Sequence, residues 1–400
     1  MKKSLTIILF SLLCLFLILA SVFTIFYISS TSVPNIVFYK IDQKTQKTFE
    51  NYLLSLLTNA KGQRPKINFI RLSDEKSLEN QLSSIKKPDI LFTENSFEAK
   101  NTAKTLGLTN ESAALENLPG TQRKVADGYA WPLLFDYFEV LSKKAVSENL
   151  SDFTKKTLQL KKASGSSPIY FAGKDDKTLF QLVTALTEAL TGSDGLLKLT
   201  ESLKENLNFS QILETSLSEK YTFKDVLNTL LEWKNQGLLF SEVLYMTPQD
   251  IKYFVENGTA EIVFLPLSSH RTIDSKKLSG YKSYVFPADI SPNNRSYVSP
   301  AVIGMPLSKR VLGNSMTPNL ILNAMLSSET QMKLSSNSGL SPASASSKTA
   351  DRQANDTRFW IASATQSLQD FVTASVLDVE LQKEYAENIR NYISLNGQAW

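Results

Sequence analysis

The chain has 400 residues, of which 42% are hydrophobic and 20% are charged, and its formal net charge is +4. This length exceeds one ordinary compact core and favours two lobes, and this composition excludes wholesale disorder. Setting aside Lys2 and Lys3, which precede an uncharged segment, lowers the net charge from +4 to +2. The remaining basic residues are spread along the chain, so we expect no nucleic-acid partner.

The chain contains one cysteine, Cys14, and one histidine, His270. A disulfide within the chain and a zinc site built from cysteine and histidine are therefore excluded. The sequence contains no phosphate-loop, dinucleotide-binding, zinc-protease or serine-hydrolase motif. We therefore expect no cofactor, no metal and no enzymatic activity. A hydrolase that uses two carboxylates in one cleft stays as an alternative.

The first predicted element is the uncharged segment from Leu5 to Ile28, which follows Met1-Lys2-Lys3. As a helix it would be roughly 36 Å long, enough to cross a hydrocarbon core of about 30 Å. Because lysines favour the cytoplasmic side, we expect a single-pass anchor in the cell membrane, with residues 34–400 extracytoplasmic. Two alternatives are a signal peptide cleaved at a weak site within Tyr27 to Ser32 and a lipoprotein modified at Cys14.

Strands and helices alternate over the next part of the chain. Strands are predicted at Asn35 to Ile41, at Lys66 to Leu72 and from Pro88 to Phe92, and helices at Lys44 to Asn59 and from a Ser73 cap to Ile85. Such alternation favours a largely parallel sheet with helices on both faces.

Amphipathic helices are predicted further along, at Leu179 to Leu190 and at Thr222 to Asn235, where Thr222 and Asp225 form a capping box. From Thr247 onward the sequence predicts a helix capped by Thr247 and a buried strand at Ala260 to Leu265. The later predictions are strands at Tyr284 to Pro287 and Tyr297 to Pro306, a helix from Thr317 to about Leu334, a surface loop at Ser341 to Asp351 and a closing helical region from Arg358 to about Ile393.

The stretch from Phe254 to Ile262 resembles a segment of the extracytoplasmic solute-binding proteins of ABC importers, family 1, which includes the maltose-binding and other sugar-binding proteins. Other phrases that resemble this family follow in its order along the chain. They are Pro88-Asp89 at the start of the third strand, Gly128 to Leu141 at a crossing between lobes, Ala301 to Lys309, Leu326 to Gln331, and Gly339 to Pro342. The family's Pro-Thr-Trp phrase is not recognisable between Lys143 and Ser167.

The resemblance implies an α/β, two-lobed periplasmic-binding-protein-like fold with a hinge, and the uncharged segment predicts one transmembrane helix before it. Together they imply an anchor and spacer at residues 1–33, an N-terminal lobe at 34–132 plus 286–338, and a C-terminal lobe at 133–285 plus 339–400. The implied function is that of a monomer that captures a small solute, a sugar first, and delivers it to the permease subunits of an ABC transporter. An anchored sensor or structural protein that is not coupled to transport is the alternative.

Sugar-binding members of the family stack aromatic rings on sugars and hydrogen-bond the sugar hydroxyls. The ligand-binding residues that the resemblance implies here are Tyr39, Asp42, Glu94, Asn95, Trp131, Asp136, Asp176 and Trp360. One departure is the loop from Pro266 to His270, which has no indole or phenyl ring where sugar-binding members often carry one. A ligand other than an oligosaccharide therefore stays open, with His270 either a contact to an anion or a surface histidine.

Overall fold

A computed structural model describes residues 33–58, 62–109, 115–116, 118, 120–125, 128–205, 208–291, 295–344, 346–349 and 352–397. The predicted anchor from Leu5 to Ile28 lies outside these residues. Among the helices that are described, none combines the length and the apolar character needed to cross a membrane.

The elements fall into three groups along the chain. The first group is β1 (Asn35–Tyr39), α1 (Gln43–Leu57), β2 (Asn68–Arg71), α2 (Leu78–Ser83), β3 (Ile90–Glu94), α3 (Phe97–Thr105), α4 (Gly120–Val125) and β4 (Trp131–Phe135). The second is β5 (Phe138–Ser142), α5 (Leu150–Ser164), β6 (Ile169–Phe171), α6 (Asp176–Lys204), α7 (Phe209–Leu213), α8 (Phe223–Asn235), α9 (Pro248–Glu256), β7 (Ile262–Pro266), α10 (Leu267–His270) and β8 (Lys282–Tyr284). The third is β9 (Ser296–Val298), β10 (Ala301–Pro306), α11 (Pro318–Met325), α12 (Ser328–Ser338), β11 (Ser341–Pro342), α13 (Arg352–Ser363), β12 (Gln366–Leu368) and α14 (Val379–Ser394). Short 3₁₀ helices lie at Val243–Tyr245 and Lys277–Gly280.

The first lobe is built on a six-stranded sheet with the order β11-β4-β10-β3-β1-β2. Strand β1 pairs in parallel with β2 and β3, but β10 pairs antiparallel with both β3 and β4. The sheet is thus mixed, and the prediction of a largely parallel sheet is wrong. The reason is that β10 returns from the other lobe and enters the sheet in the opposite direction.

The second lobe is built on a four-stranded sheet with the order β6-β7-β5-β8. Helix α6 packs against α8 and α14 beside this sheet. It bends at Gly192, whose φ of 74° lies in the left-handed region that glycine tolerates. Every residue of β5 and β7 is buried, which is expected for strands covered on both faces.

The described chain passes from one hydrophobic core to the other at three places, and Leu267 of α10 also reaches from the second lobe into the first core. The first passage is Asp136-Tyr137, between β4 and β5. The second and third follow β9 and β12, which pair in parallel as a two-stranded ribbon. Three short connecting segments between two separately packed lobes form a hinge.

The predicted domain boundaries need correction. The boundary between residues 132 and 133 falls inside β4, which pairs with β10 and β11 of the first sheet. Helix α13 was assigned to the second lobe, but its Ala354 and Ile361 are buried in the first core. In the other direction, Phe286 and Ala288 belong to the second core although they were assigned to the first lobe.

Capping patterns account for the helix starts that were predicted well and for two that were not. The side chains of Thr222 and Thr247 both form capping boxes; the box was predicted for Thr222, and for Thr247 a cap was predicted. Helix α2 is capped by Ser77 rather than by Ser73. The single helix predicted from Thr317 to Leu334 is two helices, because Ser327 caps α12 and interrupts the run.

We predict that Gly304→Ala destabilises the first lobe. A methyl group at Gly304 in β10 would overlap the side chain of Leu322, and Leu133 and Phe92 lie 3.3 Å from it. Overpacking of this kind costs about 1–3 kcal/mol of unfolding free energy, measurable as a lower urea midpoint. The control is Gly120→Ala, since a methyl group there meets no atom within 4 Å. Equal midpoints for the two variants would contradict the packing of β10.

Candidate functional site

A cavity of about 440 Å³ lies between the lobes. The first lobe contributes the segments after β1 and β2 and the last residue of β3. The second lobe contributes the start of α6, part of α10 and one face of α14. The charged side chains that line it are Lys40, Asp42, Arg71, Asp74, Glu75, Glu94, Asp175, Asp176, Lys177 and Lys383. The cavity lies within the size range of small-molecule sites in proteins.

The ammonium group of Lys177 links the two lobes at this cavity. Its Nζ lies 2.8 Å from Oε1 of Glu94, at the end of β3, and 3.7 Å from Oδ2 of Asp136, on the first passage between the lobes. The side chains of Glu94 and Asp136 are only 10% and 5% exposed. Burial by itself lowers the pKa of Lys177, but the charges of Glu94 and Asp136 outweigh it and raise that pKa.

Asp370 adds a third buried carboxyl group to this region. It is 1% exposed, and its Oδ1 accepts a hydrogen bond from the backbone of Thr373, a residue that lines the cavity. Its Oδ2 has no hydrogen-bond partner among the described residues. Burial raises the pKa of Asp370, the hydrogen bonds from Thr373 lower it in part, and with the smaller contribution of Glu94 the pKa is raised to about 6.

Two arginines hold other carboxylates at the rim. Arg271, which follows α10, pairs with Asp42 and donates to the carbonyl of Ser338. Burial raises the pKa of Asp42, but Arg271 and the hydrogen bonds from Thr45 outweigh it and lower that pKa. Arg390 on α14 pairs with Asp176 at the start of α6.

His270 lies below the rim rather than at the surface. It is 7% exposed, and its Nδ1 contacts Oε1 of Glu139 on β5. The side-chain amide of Gln353 on α13 donates to the other oxygen of Glu139. The reading of His270 as a surface histidine is therefore wrong, and the contact with Glu139 does not favour an anion there.

Four of the eight residues predicted to bind ligand line the cavity or ion-pair with a residue that does. Asp42, Glu94 and Asp176 line it, and Asp136 lies beside Lys177. The other four are outside its lining: Tyr39, Asn95, Trp131 and Trp360.

The aromatic residues among these four are engaged elsewhere. Tyr39 is fully buried, and its hydroxyl donates to Glu98. Trp131 is 1% exposed in the first core, and its indole N–H donates to Asn323. Trp360 packs against Tyr137, with ring centroids 5.3 Å apart.

Asn95 is also satisfied away from the cavity. Its amide donates to the carbonyl of Val125, and its carbonyl oxygen accepts from Tyr129. The sequence-based reasoning missed Lys177, Asp370 and Arg271. Of these, only Lys177 carried a signal, because a lysine in the first turn of a helix opposes the helix dipole and needs nearby anions.

The comparison with protein-family models gave no match, and the search of curated proteins gave none either. Solved structures do match. The bacterial solute receptor AcbH, described as having an exclusive preference for β-D-galactopyranose, is 13% identical, with a TM-score of 0.68 over 92% of this chain and 94% of its own. The chain has the fold of the ABC-importer solute-binding proteins.

Two other structures of this solute-binding fold are similar over the same extent. A chitin oligosaccharide binding protein is 15% identical, with a TM-score of 0.66 over 91% of this chain and 94% of its own. RafE from Streptococcus pneumoniae is 14% identical, with a TM-score of 0.65 over 92% and 94%. The expected two-lobed fold is thereby confirmed.

The cleft of this solute-binding fold is poor in aromatic rings. Of the side chains that line it in the described part of the chain, Phe180 alone carries an aromatic ring, and it is 3% exposed. The cleft is therefore lined by charged groups and not by stacking surfaces. Polar interactions must supply the specificity of anything held there.

We predict that Lys177→Met destabilises the protein at pH 7. Removing the ammonium group leaves Glu94 and Asp136 buried without a compensating cation. Because the Lys177 side chain is 39% exposed, solvent screening reduces the loss to about 1–3 kcal/mol of unfolding free energy, less than for a fully buried pair. Urea denaturation measures it. The matched control is Lys333→Met, which breaks an exposed pair with Glu329 and should not move the midpoint; an equal effect of both variants would contradict the role of Lys177.

We predict that Asp370→Asn stabilises the protein above pH 6. The pKa of Asp370 rises from 3.8 to about 6 on folding, so the stability it contributes is complete below pH 4 and is lost as pH rises to about 6. At about 1.4 kcal/mol per pKa unit, a rise of about 2.2 units means that the variant should gain up to about 3 kcal/mol of unfolding free energy at pH 7.5. The gain should vanish near pH 4. A gain that does not depend on pH in urea titrations would contradict the assignment.

Proposed function

We propose that the protein is an extracytoplasmic solute-binding protein that captures a small polar solute in the cleft between its lobes. The observation that carries the proposal is a cavity lined from two separately packed cores that are joined by three short passages of chain. This arrangement suits closure about a hinge around a bound solute. A sugar is the solute class to test first, because the similar solved structures are described with galactopyranose, chitin oligosaccharide and raffinose.

Binding without chemical change is the form of activity that fits the cleft. The similar structures are of binding proteins. The carboxylates of Asp42, Glu94 and Asp176 are held in ion pairs by Arg271, Lys177 and Arg390. A carboxylate fixed in this way is a hydrogen-bond acceptor for a solute and a poor proton donor, which disfavours the two-carboxylate hydrolase.

We further propose that the protein is anchored by Leu5 to Ile28 and passes its solute to ABC permease subunits. The support for the anchor is the uncharged segment after Lys2 and Lys3, which suits a single pass with the remainder outside. The first strand begins at Asn35, so a short spacer would keep the first lobe close to the membrane. A receptor held there would meet a permease by lateral diffusion.

We predict that one class of solute raises the melting temperature of the full chain with increasing concentration, because a ligand bound only by the native state stabilises it by mass action. The measurement is intrinsic-fluorescence melting in octaethylene glycol monododecyl ether, a detergent without a sugar headgroup. The panel contains sugars, polyols, amino acids, amines and organic anions.

Ser269→Trp tests whether the binding occurs in the cleft. Ser269 lines the cavity, so an indole there should weaken binding at least about tenfold by occupying the space. The control is Ser166→Trp, in an exposed loop outside the cavity. No melting shift with any member of the panel, or equal binding by both variants, would contradict the proposed function.

A further inference from the structure

The charges around the cleft do not balance. The lining contains six carboxylates and four cationic side chains. Some of these residues form ion pairs with residues outside the lining. Those outside partners are three carboxylates, Glu98, Asp136 and Glu380, and two cations, Arg271 and Arg390. Carboxylates therefore exceed cations by three, even though the whole chain has a net charge of +4. A cleft with one prevailing sign of charge focuses its field on what enters it.

Two of the lining carboxylates, Glu75 and Asp175, form no ion pair among the described residues, although Lys383 and Lys177 lie near enough to interact with them through charge. Glu75 is exposed, and its carboxylate makes no ion pair or hydrogen bond among the described residues. Asp175 uses one oxygen to cap α6 by accepting from Thr178, and it makes no ion pair in the described part of the chain. Glu75 belongs to the first lobe and Asp175 to the second.

The buried carboxyl group of Asp370 adds to this excess of negative charge. Asp370 is 1% exposed, with one oxygen that has no hydrogen-bond partner among the described residues, and its other oxygen is bonded to the backbone of cavity-lining Thr373. An unpartnered carboxyl oxygen at this depth is costly unless a donor reaches it. Lys177 already engages Glu94 and Asp136, and Asp370 lies behind the cavity lining, so its carboxyl group adds to the negative charge behind the cleft wall and not to the groups that touch a solute.

We propose that the solute captured in this cleft is a small hydroxylated molecule that carries at least one ammonium group, and that Glu75 and Asp175 hold the ammonium from opposite lobes. This proposal rests on the proposed function and specifies its ligand class. Ammonium groups donate to carboxylates in strong charge-assisted hydrogen bonds, whereas an anionic solute would meet the excess of carboxylates. The hydroxyl groups suit the remaining carboxylates, which are fixed acceptors. A cation held from both lobes also favours the closed cleft.

The test compares three disaccharides of similar size on the full chain at pH 7, again in octaethylene glycol monododecyl ether. They are the glucosamine dimer with free amines, its neutral N-acetylated counterpart and the anionic galacturonic acid dimer. We expect the amine dimer to bind at least about tenfold more tightly than the N-acetylated dimer, as measured by melting shifts and calorimetry. We expect the anionic dimer not to bind, and the affinity for the amine dimer to fall with added salt.

Two variants locate the ammonium. Glu75→Gln removes an unpaired charge, and Asp175→Asn removes a charge while retaining a good helix cap, so both should fold. Each should weaken binding of the amine dimer about five- to tenfold and leave binding of the neutral dimer unchanged. The control is Glu219→Gln, an exposed carboxylate outside the cavity, which should change neither.

Each outcome decides between the two proposals. Equal or tighter binding of the neutral or anionic dimer overturns the charge preference and leaves solute capture intact. Binding of the amine dimer that Glu75→Gln and Asp175→Asn do not weaken overturns the assigned contacts. If none of the three dimers binds, the ligand found in the wider panel decides: an amine supports the inference and a neutral or anionic solute overturns it. A panel without any ligand overturns solute capture and the charge preference together.

Discussion

Beside the pair of Arg271 with Asp42, the ion pair between Lys177 and Glu94 joins the two lobes at the cleft. It joins the start of α6 in the second lobe to the end of β3 in the first, with Asp136 on the connecting chain as the second acceptor. A lysine in the first turn opposes the helix dipole, and Asp175 as the helix cap and the two acceptor carboxylates offset that cost. The same group thus links the lobes and forms part of the wall of the cleft.

The cleft differs from an aromatic sugar site in its physical basis of recognition. The aromatic residues predicted to bind a sugar lie away from the cleft. Trp131 donates a hydrogen bond to Asn323, and Tyr39 donates one to Glu98. What faces the cavity is a set of carboxylates and cations, most of them in ion pairs, with Glu75 and Asp175 in none. Affinity in such a site comes from charge-assisted hydrogen bonds, and discrimination comes from the sign of the solute's charge. Adding or removing one charge on the solute should therefore matter more than changing its size.

Sequence patterns predicted the parts of this structure that depend on neighbouring residues. The capping boxes of Thr222 and Thr247 were readable because cap and partner lie three residues apart. The strand that ends at Glu94 and the strand that Asp42 follows were readable from the alternation of elements. Trp131 shows where local reasoning stops, because its partner Asn323 lies 192 residues away. The charge excess of the cleft likewise arises only when distant segments meet, so composition could not reveal it.

The most direct test of the account is a distance between the lobes in the free protein with and without Lys177. Spin labels at Glu79→Cys on α2 and Glu387→Cys on α14, in a Cys14→Ser background, place one exposed label on each lobe. Pulsed electron paramagnetic resonance then gives the distribution of separations. The account predicts that Lys177→Met broadens the distribution and moves it to longer distances, because the charges that join the lobes no longer balance. The same narrow distribution in both proteins would contradict it.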